Sequence, residues 1–131
     1  MGDLTKNFSS REFACRCGCG LQTLSMELVD TLQHVRDNYP SSISITSGTR
    51  CVEHNRNVGG SAASSHLTGP SGFSLAVDIS CPSSASRYML IRTLIVYFVR
   101  IGIAEKFIHV DIDFKKSGGV LWTYPYKEKE K

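Results

Sequence analysis

Phe107-Ile108-His109-Val110-Asp111-Ile112-Asp113 is the stretch on which the reading of this chain turns. Strict alternation at period two sends Ile108, Val110, Ile112 and the following Phe114 to one face of a strand, and His109, Asp111 and Asp113, beside Phe107, to the other. The first face predicts a core. The second carries two acids, although aspartate is disfavoured in strands, where Thr, Lys or Ser is the more usual outward residue. Aspartates kept there imply a use, so the second face predicts a site.

Outward from this strand, the apolar residues Leu24, Leu28, Leu32, Val35 and Tyr39 recur at spacings of three and four, which predicts a helix capped by Ser25 and ended by Pro40. Ile43-Ser44-Ile45-Thr46-Ser47 alternates as a short strand running into Gly48-Thr49-Arg50. Residues 55–72 lack apolar periodicity and are rich in Gly and Ser, which predicts a long loop of the kind that is functional or disordered in a compact domain. Leu75 to Ile79 is a short apolar strand ended by Cys81-Pro82. A second helix, Ser86 to Ile101, has Ser83 or Ser84 as its cap and Gly102 as its stop. It is apolar on more than one face, which predicts burial. After the site strand come a turn at Lys115 to Gly119 and a last strand at Val120 to Tyr124, the two strands joined by that turn. This order predicts an α+β fold, with a small, largely antiparallel sheet packed with two main helices.

Composition narrows the function classes. A chain of 131 residues is one domain, here 1–131, large enough to bury roughly two thirds of its unfolded surface without help from metal or disulfides. Any metal is then expected to be catalytic. With 41% hydrophobic and 21% charged residues, neither disorder nor a membrane class is indicated. The net charge of +3 comes without a basic stripe, so nucleic acid is not expected as a partner, and the chain is expected to act as a monomer. The apolar run from Tyr88 to Ile103 is broken by Arg92, Thr93 and Arg100, which argues against a membrane span. No signal-peptide or myristoylation pattern is seen at the amino end, and residues 125–131, with their alternating Lys and Glu, read as a frayed tail.

Five cysteines include Cys15-Arg16-Cys17-Gly18-Cys19. A metal or redox cluster joined by Cys51 or Cys81 is one reading. Alternate-residue spacing speaks against it, because paired zinc thiolates usually stand two to four residues apart. Reduced thiols, or a single late-formed bridge, are the alternative.

The histidines separate by context. His34 lies in the first helix beside the apolar stripe, and His54 in a presumed turn, with nothing to fix a role for either. His66 ends the long loop, a dozen residues before Asp78, the one acid in an apolar strand. A carboxylate placed there is costly unless paired or bound to a cation. Pairing with Arg50 or Arg56 would satisfy it, and so would a metal. Two imidazoles and one carboxylate, with a fourth position left open, form a known type of catalytic zinc site, and His66, Asp78 and His109 supply that set.

Ile45-Thr46-Ser47-Gly48-Thr49-Arg50, Asn55 with Val58-Gly59-Gly60, Ser64-x-His66-Leu67-x-Gly69, Ala76-x-Asp78-Ile79 and Phe107-Ile108-His109-Val110-Asp111 together resemble, in order, the motifs of the M15 zinc peptidases. The resemblance extends to the small D-alanyl-D-alanine carboxypeptidase-like branch often encoded by phages, whose amino-terminal segment is similar to Phe8-Ser9-x-x-Glu12-Phe13-x-Cys15-x-Cys17-Gly18 and whose closing strand is similar to the one bearing Trp122. It implies a fold like that of hedgehog-type domains and D-Ala-D-Ala peptidases, and one zinc ion per chain held by His66, Asp78 and His109. It also implies hydrolysis of a peptidoglycan stem peptide, either at terminal D-Ala-D-Ala or at the L-Ala-D-Glu bond. A phage enzyme of this type would wait in the host cytoplasm until lysis or be delivered by the virion. Two departures stand out: Gly69-Pro70-Ser71-Gly72-Phe73-Ser74 lengthens the usual interval of six residues between the His and Asp ligands to eleven, and the motif's Gly-Tyr-Arg reads Gly48-Thr49-Arg50.

Within that reading Asp111 is the first candidate for general base, because it shares the strand face of His109, and it could equally orient a ligand. Glu105 is the second candidate; the position three before the last His, where the family usually places an acid, is Lys106 here. Arg50 would meet a substrate carboxylate through its planar fork, or form an ion pair within the fold. Ser64 would bond within its loop or to substrate. The rival from another class is a non-catalytic, metal-containing module that binds a wall peptide or a protein partner, and a third reading is a redox or metal-sensing domain built on the cysteines.

Overall fold

The alternating strand lies inside a sheet. The computed structural model describes residues 2–69 and 72–125. After a 3-10 turn at Ser10–Phe13 come α1 (Met26–Asn38), β1 (Ile45–Ser47), α2 (Val52–Asn57), β2 (Ala76–Ser80), α3 (Ser84–Tyr97), β3 (Arg100–Ile103), β4 (Phe107–Asp111) and β5 (Val120–Thr123). The strands form one sheet in the order β1-β2-β4-β3-β5. β4 is central and antiparallel to both β2 and β3, β1 is antiparallel to β2, and β5 joins β3 in parallel. The fold is α+β, and the sheet is mixed.

One face of the sheet makes the core. Val77, Ile79, Ile101, Ile108 and Val110 join Leu28, Val29, Leu32 and Val35 of α1 and Leu90 and Leu94 of α3 in a single buried cluster. Each of these side chains contributes about 1.5–3 kcal/mol by leaving water, before the entropy of ordering is subtracted. The opposite face carries Asp78, His109 and Asp111, with Ala76, Phe107 and Trp122 beside them. Both alternations of the opening stretch are therefore used as expected from Phe107 to Asp111.

Beyond Asp111 the expectation fails. Ile112 is only half-buried, and Phe114 is 72% exposed rather than in the core. The Ile112 N–H still reaches the Leu75 carbonyl at the end of the β2–β4 pairing, and then Lys116 N–H donates to the Asp113 carbonyl, so the chain turns from Asp113 onward.

The second helix also ends early. α3 begins where Ser83 caps it, its Oγ accepting from the Ser86 N–H, but it stops at Tyr97 instead of Ile101, and Phe98 is already extended. Arg100 to Ile103 alternates and pairs with β4, so Gly102 is a mid-strand residue and not a helix stop. Nor is α3 buried all round, since Tyr88, Ile95 and Val96 are 58–73% exposed. The short turn between the site strand and the last strand had implied that they are neighbours; β3 lies between them instead.

The long loop expected from Asn55 contains the end of α2, a helix with no apolar stripe. Its Cys51 N-cap accepts from His54 N–H, and buried Asn55 bonds Ser61 O through Nδ2. His54 is thus helical. Of the presumed tail, Pro125 is described, and residues 126–131 lie outside the described residues, as do Pro70 and Ser71 of the presumed insertion. Among the described residues, no helix is long and apolar enough to cross a membrane.

Candidate metal centre

Strand register sets the site in a row. Asp78 of β2 pairs with His109 of β4, His109 with Gly102 of β3, and Gly102 with Trp122 of β5. Residues at one level of a sheet share a face, so Asp78 and His109 project together from the polar side, and glycine between His109 and Trp122 leaves room for both rings. A Cβ on Gly102 would meet the Trp122 indole at 2.6 Å, and the His109 and Trp122 ring centroids stand 5.5 Å apart.

His66 arrives from the loop. Its backbone is fixed by Arg50 N–H donating to His66 O, and its Nδ1 lies 2.7 Å from the Gly48 carbonyl, to which it donates. That leaves Nε2 as the free nitrogen, 3.2 Å from Asp78 Oδ1. The His109 ring presents Nδ1 to the same oxygen at 3.0 Å. Its other nitrogen, Nε2, donates to Asp111 Oδ2 at 2.8 Å. All three residues are buried, and their ligating atoms lie within 4.8 Å of one another. The eleven-residue interval does not keep His66 from Asp78, because Leu75 N–H returns to Ser65 O and Ser74 Oγ bonds Thr49 Oγ1.

Asp111 is bound on both oxygens. Arg100 Nε donates to Oδ1 at 2.7 Å, and so does the Asp113 N–H at 3.1 Å. The Arg100 guanidinium lies 5.0 Å above the Trp122 ring. Asp113 forms an ion pair with Lys116 at 3.7 Å and accepts from Ser65 Oγ. Arg50 spreads its fork over three acceptors: Ser47 Oγ, Asn55 Oδ1 and Asp78 Oδ2, the last at 3.4 Å. The ion-pair reading of Arg50 with Asp78 is therefore met in this geometry, with two of its five N–H groups left over.

These contacts set the charges. Burial works against ionising Asp78, yet hydrogen bonds from His109 and His66 outweigh it and hold the carboxyl well below the usual carboxylate range. Burial also disfavours a charged His109, and bonds to Asp111 and Asp78 overcome it and raise the imidazole. Asp111 is lowered against its own burial by His109, the Asp113 N–H and Arg100. Tyr124, beside His109, is raised chiefly by burial, so its phenol stays a donor at neutral pH.

A cavity of about 360 Å³ opens on this row, lined by Arg50, Ser64, His66, Asp78, Arg100, His109, Asp111, Lys116, Trp122 and Tyr124 among others. Ser64 reaches it while its Oγ accepts from the His66 N–H. Glu105 does not line it; it is exposed in the β3–β4 turn, with its carbonyl bound by Arg87. His34 stacks on Tyr97 at the far end of α1.

The donor set fits a divalent metal. At metal–ligand distances of about 2.1 Å, a tetrahedron has edges of about 3.4 Å, close to the 3.0 and 3.2 Å separating Asp78 Oδ1 from the two imidazoles. The sequence model of the peptidase M15 family matches residues 6–111, a span that takes in all three converging residues and Arg50. The chain belongs to the M15 peptidase family. No individual curated protein matches it. As an M15 domain it is a metallopeptidase by family, and His66, Asp78 and His109 form its candidate metal-binding group.

Arg100, Lys116, Trp122 and Tyr124 had no role assigned from sequence. The signal was present: read as a strand, Arg100-Ile101-Gly102-Ile103 alternates with its isoleucines inward, which puts Arg100 on the site face. The apolar count of the neighbouring helix masked it.

Proposed function

We propose that this M15 domain is a zinc-dependent hydrolase of peptidoglycan stem peptides, with a fold of the hedgehog and D-Ala-D-Ala-peptidase type. The observation that carries the reading is the convergence of His66 Nε2 and His109 Nδ1 on one oxygen of Asp78, in a cavity that also holds Arg50, Arg100 and Lys116. Zinc on these three ligands supplies Lewis acidity, which polarises a carbonyl and acidifies water. The chain's own groups do the rest.

The cations favour an anionic substrate. In both candidate cleavages the residue beyond the scissile bond has a free α-carboxylate: the terminal D-Ala in one case, and the D-Glu linked onward through its side chain in the other. Arg50 has two N–H groups to offer such a carboxylate, and an oriented guanidinium fork binds it bidentately. Ser64 shapes the loop that carries His66. Tyr124, kept protonated, donates a hydrogen bond into the cavity.

Asp111 serves as the acceptor that orients His109. Its Oδ2 fixes the Nε2–H tautomer and so directs Nδ1 toward Asp78, the carboxylate–histidine–metal arrangement in which the carboxylate also raises ligand basicity. Asp111 lines the cavity and Glu105 does not, which supports Asp111 over Glu105 as the group that would also take up the proton. The enzyme acts on the cell wall, reached at lysis or from a virion.

Purified muropeptides incubated with the protein, with and without chelator, test the reading. Loss of an alanine mass, or an internal cut, is expected only without chelator, and His109→Ala abolishes both the cleavage and the metal at this site. Binding of muropeptide without any cleavage would instead make the domain a recognition module.

A further inference from the structure

A second cluster lies outside the catalytic row. Cys15, Cys17, Cys19 and Cys51 place all four sulfurs within 4.8 Å of one another. Every cysteine of the chain is unbridged. Cys15 Sγ stands 3.5 Å from Cys17 Sγ and 3.8 Å from Cys51 Sγ, and Cys17 Sγ stands 3.7 Å from Cys51 Sγ. These are not disulfide distances, which are about 2.05 Å. They match another figure: four sulfurs about 2.3 Å from a central zinc lie about 3.8 Å from one another. Three of the six edges of that tetrahedron are thus formed to within a few tenths of an ångström.

The local chain explains how alternate residues converge. In an extended strand, Cys15, Cys17 and Cys19 would be about 6.6 Å apart in succession, too far for one ion. Here the segment is folded back. Gly18 N–H donates to Cys15 O and Cys15 N–H to Leu21 O, while Gly18 and Gly20 sit at φ of 87° and 88°, where only glycine is at ease. The Arg16 guanidinium ties the loop to its surroundings through the carbonyls of Glu12, Ala14, Ile45 and Thr46. Cys51 enters from the N-cap of α2. Backbone N–H groups already point at two of the sulfurs, Cys51 N–H at Cys15 Sγ (3.4 Å) and His54 N–H at Cys51 Sγ (3.3 Å), the kind of donor that supports a metal-bound thiolate.

We infer that Cys15, Cys17, Cys19 and Cys51 form a second, structural zinc site that fastens the amino-terminal segment to the start of α2. The closed four-thiolate set leaves no open position, in contrast to the three-ligand catalytic set. Its placement has a consequence for the active site. Cys51 follows Arg50 directly, Thr49 N–H bonds Phe13 O, and Gly48 packs against the Phe13 backbone so closely that a Cβ would stand 2.7 Å away. A clamp between residues 15–19 and 51 therefore fixes the segment that presents Arg50 and the carbonyl that holds His66.

The test uses the full chain. His109→Ala, stripped and reloaded with cobalt, is expected to retain metal and to show the intense near-ultraviolet sulfur-to-cobalt charge-transfer absorption of a tetrahedral thiolate site, which the catalytic ligands cannot produce. In zinc-loaded wild type, the exposed Cys17 and Cys19 are expected to resist alkylation and to become reactive on chelation. Cys19→Ser, at an exposed position, should weaken the cobalt absorption without unfolding the domain. Absence of the sulfur band in His109→Ala, equal alkylation with and without metal, or recovery of these cysteines as disulfides in protein purified under mild conditions would each overturn the proposal. Neither readout depends on hydrolysis, so failure of the peptidase reading leaves this one standing or falling by itself.

Discussion

The two convergent groups differ in what holds them. Asp78 and His109 come from adjacent strands of an antiparallel ladder, where register fixes both side chains before any metal arrives. The four cysteines come from a glycine-containing loop and a helix cap, held by a few turn bonds and the Arg16 guanidinium rather than by a strand ladder. A site on strands is pre-organised by hydrogen bonds that exist for other reasons; a site on a loop depends on its ligand to complete it. The first should tolerate loss of metal as a fold, and the second should not.

The strand site is sharpened most by removing its supporting carboxylate. Asp111→Asn keeps the size but exchanges an acceptor of the His109 Nε2–H for an amide, and it leaves Arg100 facing a neutral group. Metal affinity at the His66–Asp78–His109 site or turnover is expected to fall about 10–100-fold, as such outer contacts do. A competition titration with a chromogenic chelator separates the two, and cobalt absorption from the cysteines should not change. An effect on turnover alone, with affinity intact, would assign Asp111 to proton transfer rather than orientation.

The same contrast explains what could be read in advance. The face carrying His109 and Asp111 was legible because period-two alternation is a local property, and Asp78 stood out because a lone carboxylate among Ala76, Val77 and Ile79 demands a partner. β3 was not legible, because Val99 to Ile103 continues the apolar composition of α3 and only pairing with β4 turns it into a strand. α2 was hidden for the opposite reason: it buries Asn55 rather than an apolar stripe. The cysteine cluster was visible as residues but not as a site, since spacing along the chain argued against convergence and a turn in three dimensions reverses that. Arg100 was lost along with the strand that carries it.

A smaller effect is expected at the glycine that separates the rings. Gly102→Ala places a methyl against the Trp122 indole, which is partly exposed and able to shift, so the cost is that of mild overpacking, about 1 kcal/mol, read as a lower midpoint in thermal or denaturant unfolding. Because Trp122 covers His109 and stacks under Arg100, indole fluorescence should report the shift. A loss of stability without any fluorescence change would mean that the ring does not move and that the strain is taken up in β3.

Protonation gives the smallest effect and the finest distinction. In metal-free protein Asp78 and Asp111 are depressed, so their contribution to stability is complete above the unfolded carboxylate value of about 3.9 and is lost as pH falls through their lower folded values. His109 is raised, so its contribution is complete below the unfolded histidine value of about 6.5 and is lost as pH rises through the higher folded one. Chelated protein should therefore be most stable between about pH 4 and 6.5, with a midpoint that declines on the alkaline side. Zinc competes with the proton on His109 Nδ1, so loading should abolish that alkaline decline while making metal affinity fall toward acid. His109→Gln, which carries no titrating ring, should remove the alkaline slope from the chelated protein. If the slope persists in that variant, the proton responsible is held elsewhere. It is not held on Cys15, whose thiol is lowered to about 7 against its burial by hydrogen bonds with Cys51 and Cys17 and so adds stability as pH rises; the same titration in Cys15→Ser should steepen the decline.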